Sequence, residues 1–249
     1  MKIGVKTFDS EKFLESFEDR ADFFEIMALQ RNDYSFLKRF SLPFVIHAEH
    51  GRQGTNPADS SKREFNIKSV NFARRIADFT KADKIIVHPG VIEEGNKNCS
   101  LENAIGFFRG LNDERILVEN IFTSKAFHLN GQGLCGNPAS VQELTSLTKI
   151  GFCFDVNHAL LGRTNFDGDY SFVKDYVALN PQHYHIGGQR LNELDAHLSF
   201  IDSDLDLRKV LQYYPKNAEI TLETTTEISE VENDLRTIRK IMRSLDRYK

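Results

Sequence analysis

Between Gly151 and His197 the chain reads GFCFDVNHALL, then QHYHIGGQ, then ELDAHLSF. That stretch carries Asp155, His158, His185, Asp195 and His197, all side chains that bind metal ions, and several of them close short apolar runs. The design recurs elsewhere, where apolar runs end in His47, His88, Glu119 and Glu223. Neutral imidazole suits zinc, iron or manganese. A carboxylate at the end of a buried strand must find a cation or a hydrogen-bond donor. Any one of these residues alone reads as a satisfied core group: a His bonded to backbone, a Glu paired with a barrel Arg or Lys, an Asp capping a loop. Repetition at equivalent places, in strand bodies that offer few cationic partners, shifts the reading to ligands of one shared centre for divalent metal ions. His50, three residues past His47, reads as a contact to substrate or to a ligand. His183 would share a strand face with His185 and reads as structural, and His128 in a long loop has no assigned role.

The elements that would position these side chains alternate regularly. Apolar strands are expected at Lys2–Lys6, Asp22–Met27, 44–47, 84–90, Arg115–Glu119, 150–155, 183–186 and 219–223. Helices are expected from Ser10 to Phe17, from Tyr34 to Phe40 and along a stretch carrying Phe65, Val70, Ala73, Ile76 and Phe79. Further helices open at Ser100 and Pro138, cover 171–179 and 206–214, and run from Ile228 to Leu245. Helical spacing of apolar residues and Ser or Asp at the starts support these boundaries. The loop from Asn120 to Asn137 is long, and loops of that length often carry function. Strands that are apolar throughout fit a parallel sheet covered on both faces. Residues 1–249 are therefore read as one domain, a single (β/α)8 TIM barrel, a fold that typically needs ~250 residues. An open sheet would struggle to gather ligands from six or more strands, whereas a closed barrel gathers them at its carboxyl face.

Composition narrows the class. Hydrophobic residues make up 40% of the chain, enough for a sizeable core, with 20 Phe and no Trp. The net charge of −4 argues against nucleic-acid binding over the whole surface, so DNA would need a local basic patch. Cys99, Cys135 and Cys153 are odd in number and irregularly spaced, which is no disulfide framework. Cys153 sits in an apolar run and reads as a small core residue. MKIGVKTFDS is not a signal peptide, no apolar run approaches ~20 residues, and the expected location is the cytoplasm with no membrane partner.

On the motifs IIVHPG, LVEN, FDVNH, YHI, LDAH, TLET and VIHAEH, the chain resembles the xylose-isomerase-like barrels, and within them endonuclease IV (AP endonuclease family 2). The resemblance runs from the third strand to the eighth. It implies three metal ions, zinc first, with manganese or iron as alternatives. His47 and His88 would hold one ion, with Glu119 bridging to a second. Asp155, His185 and Glu223 would complete the second, and His158, Asp195 and His197 would hold the third. Single-metal sugar isomerases and epimerases of the same superfamily need mainly Glu119, Asp155, His185 and Glu223. The chain departs from endonuclease IV in its substrate-facing segments: KIGVKTFDS lacks a Gly-rich stretch, FEIMALQRND carries Glu25 as sugar isomerases do, and the seventh strand continues as HIGGQ.

The leading expectation is a metal-dependent hydrolase of a phosphodiester or phosphoester, abasic DNA among the substrates, with Glu119 central to the metal pair. Clustered ions activate a water and stabilise the oxygens of the attacking and leaving groups. Arg52, Arg163 and Arg190 lie in loops expected to open on the carboxyl face and could meet an anionic substrate; each alone also reads as solvated loop charge. The alternative is a sugar or sugar-phosphate isomerase or epimerase, with Glu119 and Glu223 as catalytic acid and base beside one ion. An iron-dependent oxidative enzyme is a third reading.

Overall fold

The structure is a computed structural model, and it describes residues 1–122, 131–161, 163, 166–191, 193 and 195–246. Eight parallel strands close into a barrel in the order β1 (Lys2–Thr7), β12 (Glu219–Leu222), β9 (His183–Ile186), β8 (Gly151–Asp155), β6 (Ile116–Glu119), β4 (Ile85–Val87), β3 (Phe44–Ala48) and β2 (Phe23–Ala28). Helices follow the strands on the outside: α1 (Glu11–Phe17), α2 (Arg63–Thr80), α3 (Leu101–Leu111), α4 (Pro138–Thr148), α5 (Val156–Leu161), α6 (Val173–Val177), α7 (Leu207–Leu211) and α8 (Ile228–Asp246). The fold is therefore the expected (β/α)8 TIM barrel. No helix among the described residues is long and apolar enough to cross a membrane.

Local chemistry explains the helix starts. Ser10, Ser100 and Asn137 each accept a hydrogen bond from a backbone N–H of the first turn, satisfying a donor that the helix leaves unpaired. Along α2 the residues Val70, Ala73, Ile76 and Ala77 are buried at helical spacing, and burying each Val or Ile contributes roughly 1.5–3 kcal/mol. The many phenylalanines fill the layer between strands and helices, where Phe13, Phe17, Phe24, Phe107, Phe108 and Phe154 are buried. Several expected helices are shorter than the apolar pattern suggests. The Tyr34–Phe40 segment is a 3-10 turn at Ser35–Arg39, and 171–179 divides into a 3-10 turn and α6.

Two small hairpin-like pairs sit outside the barrel, and neither was expected. β5 (Val91–Glu93) pairs antiparallel with β7 (Gly131–Gly133), so part of the long 120–137 segment is structured. β10 (Gly188–Arg190) pairs antiparallel with β11 (Asp195–Leu198), so the D-x-H motif lies on a strand rather than in a loop. Residues 123–130, including His128, lie outside the described residues.

Strand side chains alternate between faces, and the barrel interior is built on that period. Phe23, Val45, Ile86, Leu117 and Cys153 form one buried cluster. Two residues further along each of these strands stand Glu25, His47, His88, Glu119 and Asp155. Gly4 makes room for this packing, since a Cβ there would meet the Phe23 ring at 2.2 Å. At the amino end of the barrel, Lys2 and Lys84 clasp Glu219 at 2.8 and 2.7 Å.

Candidate metal centre

The interior alternation delivers the predicted ligands to one place. His47 Nε2 and His88 Nε2 lie 3.1 and 3.2 Å from Glu119 Oε2. His158 Nδ1 and His185 Nδ1 lie 3.1 and 3.3 Å from Glu119 Oε1, and His185 Nδ1 is 2.9 Å from Glu223 Oε2. Among the described residues, the predicted ligands fall into three overlapping groups here: His47, His88 and Glu119; Glu119, Asp155, His185 and Glu223; and Asp155, His158 and His197. Glu119 and Asp155 each belong to two groups. The structure thus brings together eight of the nine predicted ligands; the side chain of Asp195 lies outside the described residues.

The donor set fits divalent ions. Four atoms of the middle group, Glu119 Oε1, Asp155 Oδ2, His185 Nδ1 and Glu223 Oε2, are buried with no hydrogen-bond partner. Partnerless buried polar atoms are costly, and a cation is the natural occupant of the space they face. The histidines are oriented for ligation. His47 donates from Nδ1 to the Ala48 carbonyl at 2.7 Å, His158 to the Asn120 carbonyl at 2.9 Å and His197 to the Glu223 carbonyl at 3.0 Å. A neutral ring held in that way keeps Nε2 as a lone-pair donor. His185 is held the opposite way: Nε2 donates to Glu25 Oε2 at 2.9 Å, which leaves Nδ1 for a metal.

The two oxygens of Asp155 face different ways, one capping a helix and one turned to the ligand group. Its Oδ1 accepts from the His158 backbone N–H at 2.7 Å and starts α5, while Oδ2 faces the ligand group. Asn120 exchanges two 2.8 Å hydrogen bonds with the Asp155 backbone and locks β6 to β8. The two glycines of HIGGQ also have a local reason. A Cβ on Gly187 would meet the Glu223 carbonyl oxygen at 2.4 Å, so only glycine lets the chain entering β10 pass over β12. His197 sits at φ +62, an uncommon conformation for a residue with a side chain.

Electrostatics match the geometry. Burial pushes His88 down to about 4, so it is neutral at pH 7 and can ligate. Burial works against a charge on His158 too, yet the Asp155 and Glu119 carboxylates beside it raise its pKa to about 9. Without cations the carboxylates therefore draw a proton onto His158, and metal binding must displace it. Burial also opposes ionisation of Glu223, but Lys6 and His185 hold its carboxyl well below the usual range.

Lys6 was missed from sequence, and Glu25 and His183 are joined to it in a network the sequence did not reveal. Lys6 on β1 is only 9% exposed; it contacts Glu223 Oε1 and lies 3.0 Å from Glu25 Oε1. The strand bodies do hold a cationic partner, so the glutamates are not left to metal alone. Glu25 is fully buried and also accepts from the Thr221 hydroxyl at 2.7 Å. His183 is buried as expected, but it joins the same network, 2.8 Å from Thr221 Oγ1 and 3.4 Å from Glu25. The available signal was the period of two: Lys6 follows Gly4, and Glu25 follows Phe23, on the interior face.

Above the ligands lies a cavity of about 330 Å3. Phe8, Met27, Ile121 and Phe122 form much of its apolar wall, and Lys6, His50 and Arg52 also line it. His50 stacks on His88 with ring centroids 5.0 Å apart, in keeping with a residue that contacts a ligand. Of the three arginines expected at the mouth, Arg52 is placed there. Arg163 instead lies 3.9 Å over the Phe172 ring, and Arg190 is an exposed residue of β10.

Solved structures of xylose-isomerase-like barrels align over nearly the whole chain. A D-tagatose 3-epimerase-like protein has a TM-score of 0.78 at 17% identity, covering 100% of this chain and 99% of that one. Endonuclease IV from Thermus thermophilus has a TM-score of 0.74 at 18% identity, covering 98% of this chain and 100% of that one. A xylose isomerase domain protein from Planctomyces limnophilus has a TM-score of 0.70 at 12% identity, covering 99% and 98%. No protein-family model matches the chain, and no curated protein matches it.

Proposed function

We propose that this chain is a metal-dependent phosphoesterase with more than one divalent ion at the carboxyl face of its barrel. The observation that carries the reading is the sharing of Glu119: one oxygen faces Nε2 of His47 and His88, the other faces Nδ1 of His185. His47 and His88 stand outside the Glu119–Asp155–His185–Glu223 group that would hold a single ion. Charge points the same way. Glu25, Glu119, Asp155 and Glu223 with Lys6 sum to −3 with neutral histidines; one divalent ion leaves −1, and two give +1. The second balance favours an anionic phosphoester more than the first.

Divalent ions clustered in this way supply Lewis acidity toward phosphoryl oxygens and an activated water near neutral pH. The chain's own residues do the rest. Glu119 sets the spacing of the two ligand groups it joins. Arg52 and His50 stand at the cavity mouth, where they can orient an anionic group, and Phe8 and Phe122 cover the organic part of the substrate and exclude water. Zinc suits the mixture of imidazole and carboxylate, and manganese and iron suit it too. Abasic DNA fits the endonuclease IV resemblance, but the cavity size favours one small phosphoester or one extruded nucleotide.

A second reading, a sugar or sugar-phosphate isomerase or epimerase, is favoured by one observation: the four partnerless ligand atoms all belong to the Glu119–Asp155–His185–Glu223 group. Here Glu119 and Glu223 flank the substrate as acid and base. The two readings separate on a panel of simple phosphodiesters, phosphomonoesters, abasic duplex, aldoses and ketoses offered to metal-loaded protein. Phosphoester cleavage that is lost in Glu119→Gln supports the proposal. Sugar interconversion without cleavage transfers the assignment to the isomerase.

A further inference from the structure

The two oxygens of Glu223 face different partners. Oε2 faces His185 Nδ1 at 2.9 Å within the ligand group and has no hydrogen-bond partner, whereas Oε1 is taken by the Lys6 ammonium. Lys6 is itself anchored from its other side. Its Nζ lies 3.0 Å from Glu25 Oε1, and Glu25 Oε2 is held by His185 Nε2 at 2.9 Å and by the Thr221 hydroxyl at 2.7 Å. The network is rooted on β1, β2, β9 and β12, which are paired neighbours in the barrel wall. Lys6 also lines the cavity, so the oxygen it holds sits beside the space open to substrate.

A carboxylate with both oxygens free can fill two positions on one ion. Catalytic metal sites differ from structural ones in keeping a position open. We propose that Lys6 keeps such a position open on an ion held by Glu119, Asp155, His185 and Glu223, by withholding Oε1 of Glu223 from it. Lys6 is thus a positioning residue acting through Glu223. The inference rests on the metal centre and holds equally for a phosphoester or a sugar substrate.

Removing Lys6 has an unusual expected direction. A buried cation near the ion disappears and a second oxygen becomes available, so the metal should bind more tightly. The test is a Co2+ titration of the full chain, stripped of metal, followed by visible absorbance, for wild type, Lys6→Met and Lys6→Arg. Lys6→Met should bind cobalt more tightly, on the order of tenfold or more. Its molar absorbance at saturation should fall, because coordination rises above four. Lys6→Arg, which keeps the charge and the contact, should retain the wild-type absorbance. Glu223 belongs to one ligand group at the centre among the described residues, so the difference spectrum reports that ion. Tighter binding with an unchanged spectrum would show a pure charge effect and overturn the proposal, as would unchanged or weaker binding. Wild type that binds no cobalt would remove the metal centre itself. If Lys6→Met does not fold because Glu25 is left unpaired, Lys6→Met with Glu25→Gln removes both charges and must still show the lower absorbance.

Discussion

Replacing Glu25 with Gln keeps the size of the side chain and removes its charge. In the structure Glu25 is fully buried, accepts from His185 Nε2 at 2.9 Å and pairs with Lys6 at 3.0 Å. The charge makes His185 a better metal ligand, because an imidazole that donates to a carboxylate is more basic at its other nitrogen. Outer partners of this kind are worth 10–100-fold in metal affinity, or roughly 1.4–2.8 kcal/mol at about 1.4 kcal/mol per tenfold. Gln can still accept from His185, so the lower half of that range is expected. The assay is competition for zinc or manganese against a chromophoric chelator, with circular dichroism confirming that the barrel persists. Affinity within twofold of wild type, in a folded protein, would refute the claim that Glu25 tunes the centre. Tighter binding would show that its pairing with Lys6 outweighs its pairing with His185.

Two other outcomes are accessible. Glu219 is held by Lys2 and Lys84 against the cost of burial, which lowers its pKa to about 2. A depressed carboxylate contributes stability above its unfolded pKa of ~4.3 and loses it as pH falls toward 2; Glu219→Gln should therefore lower the chemical-denaturation midpoint at pH 6 and converge on wild type near pH 2. Phe8 is 43% exposed at the cavity mouth, so Phe8→Ala should raise KM for the true substrate with metal content and melting temperature unchanged; an unchanged KM would remove Phe8 from the substrate wall.

Much of the site was legible because barrel geometry turns strand ends into one rim. Glu119 and Asp155 close their strands, His47 is one residue short of the end of its own, and His88 and Glu223 follow theirs by one residue. What was not legible depends on the interior face rather than on strand ends. Lys6 sits inside a strand, where alone it reads as a surface charge, and Glu25 was noted only through the isomerase resemblance; only the closed barrel brings β1 beside both β2 and β12 and makes them partners. The β10–β11 hairpin was hidden because its glycines read as loop, whereas close approach to Glu223 is what requires Gly187. The arginines were ambiguous for the reason that long cations commonly are: Arg163 satisfies itself on an aromatic face, and nothing in its spacing distinguishes that from a substrate contact.

The central claim is that Glu119 and Asp155 join adjacent ion sites into one centre. Elemental analysis of metal-replete protein tests it most directly. At least two divalent ions per chain are expected, with one lost in a His47→Ala, His88→Ala double variant that keeps the Glu119–Asp155–His185–Glu223 group. One ion per chain in wild type, unchanged in that variant, would contradict it.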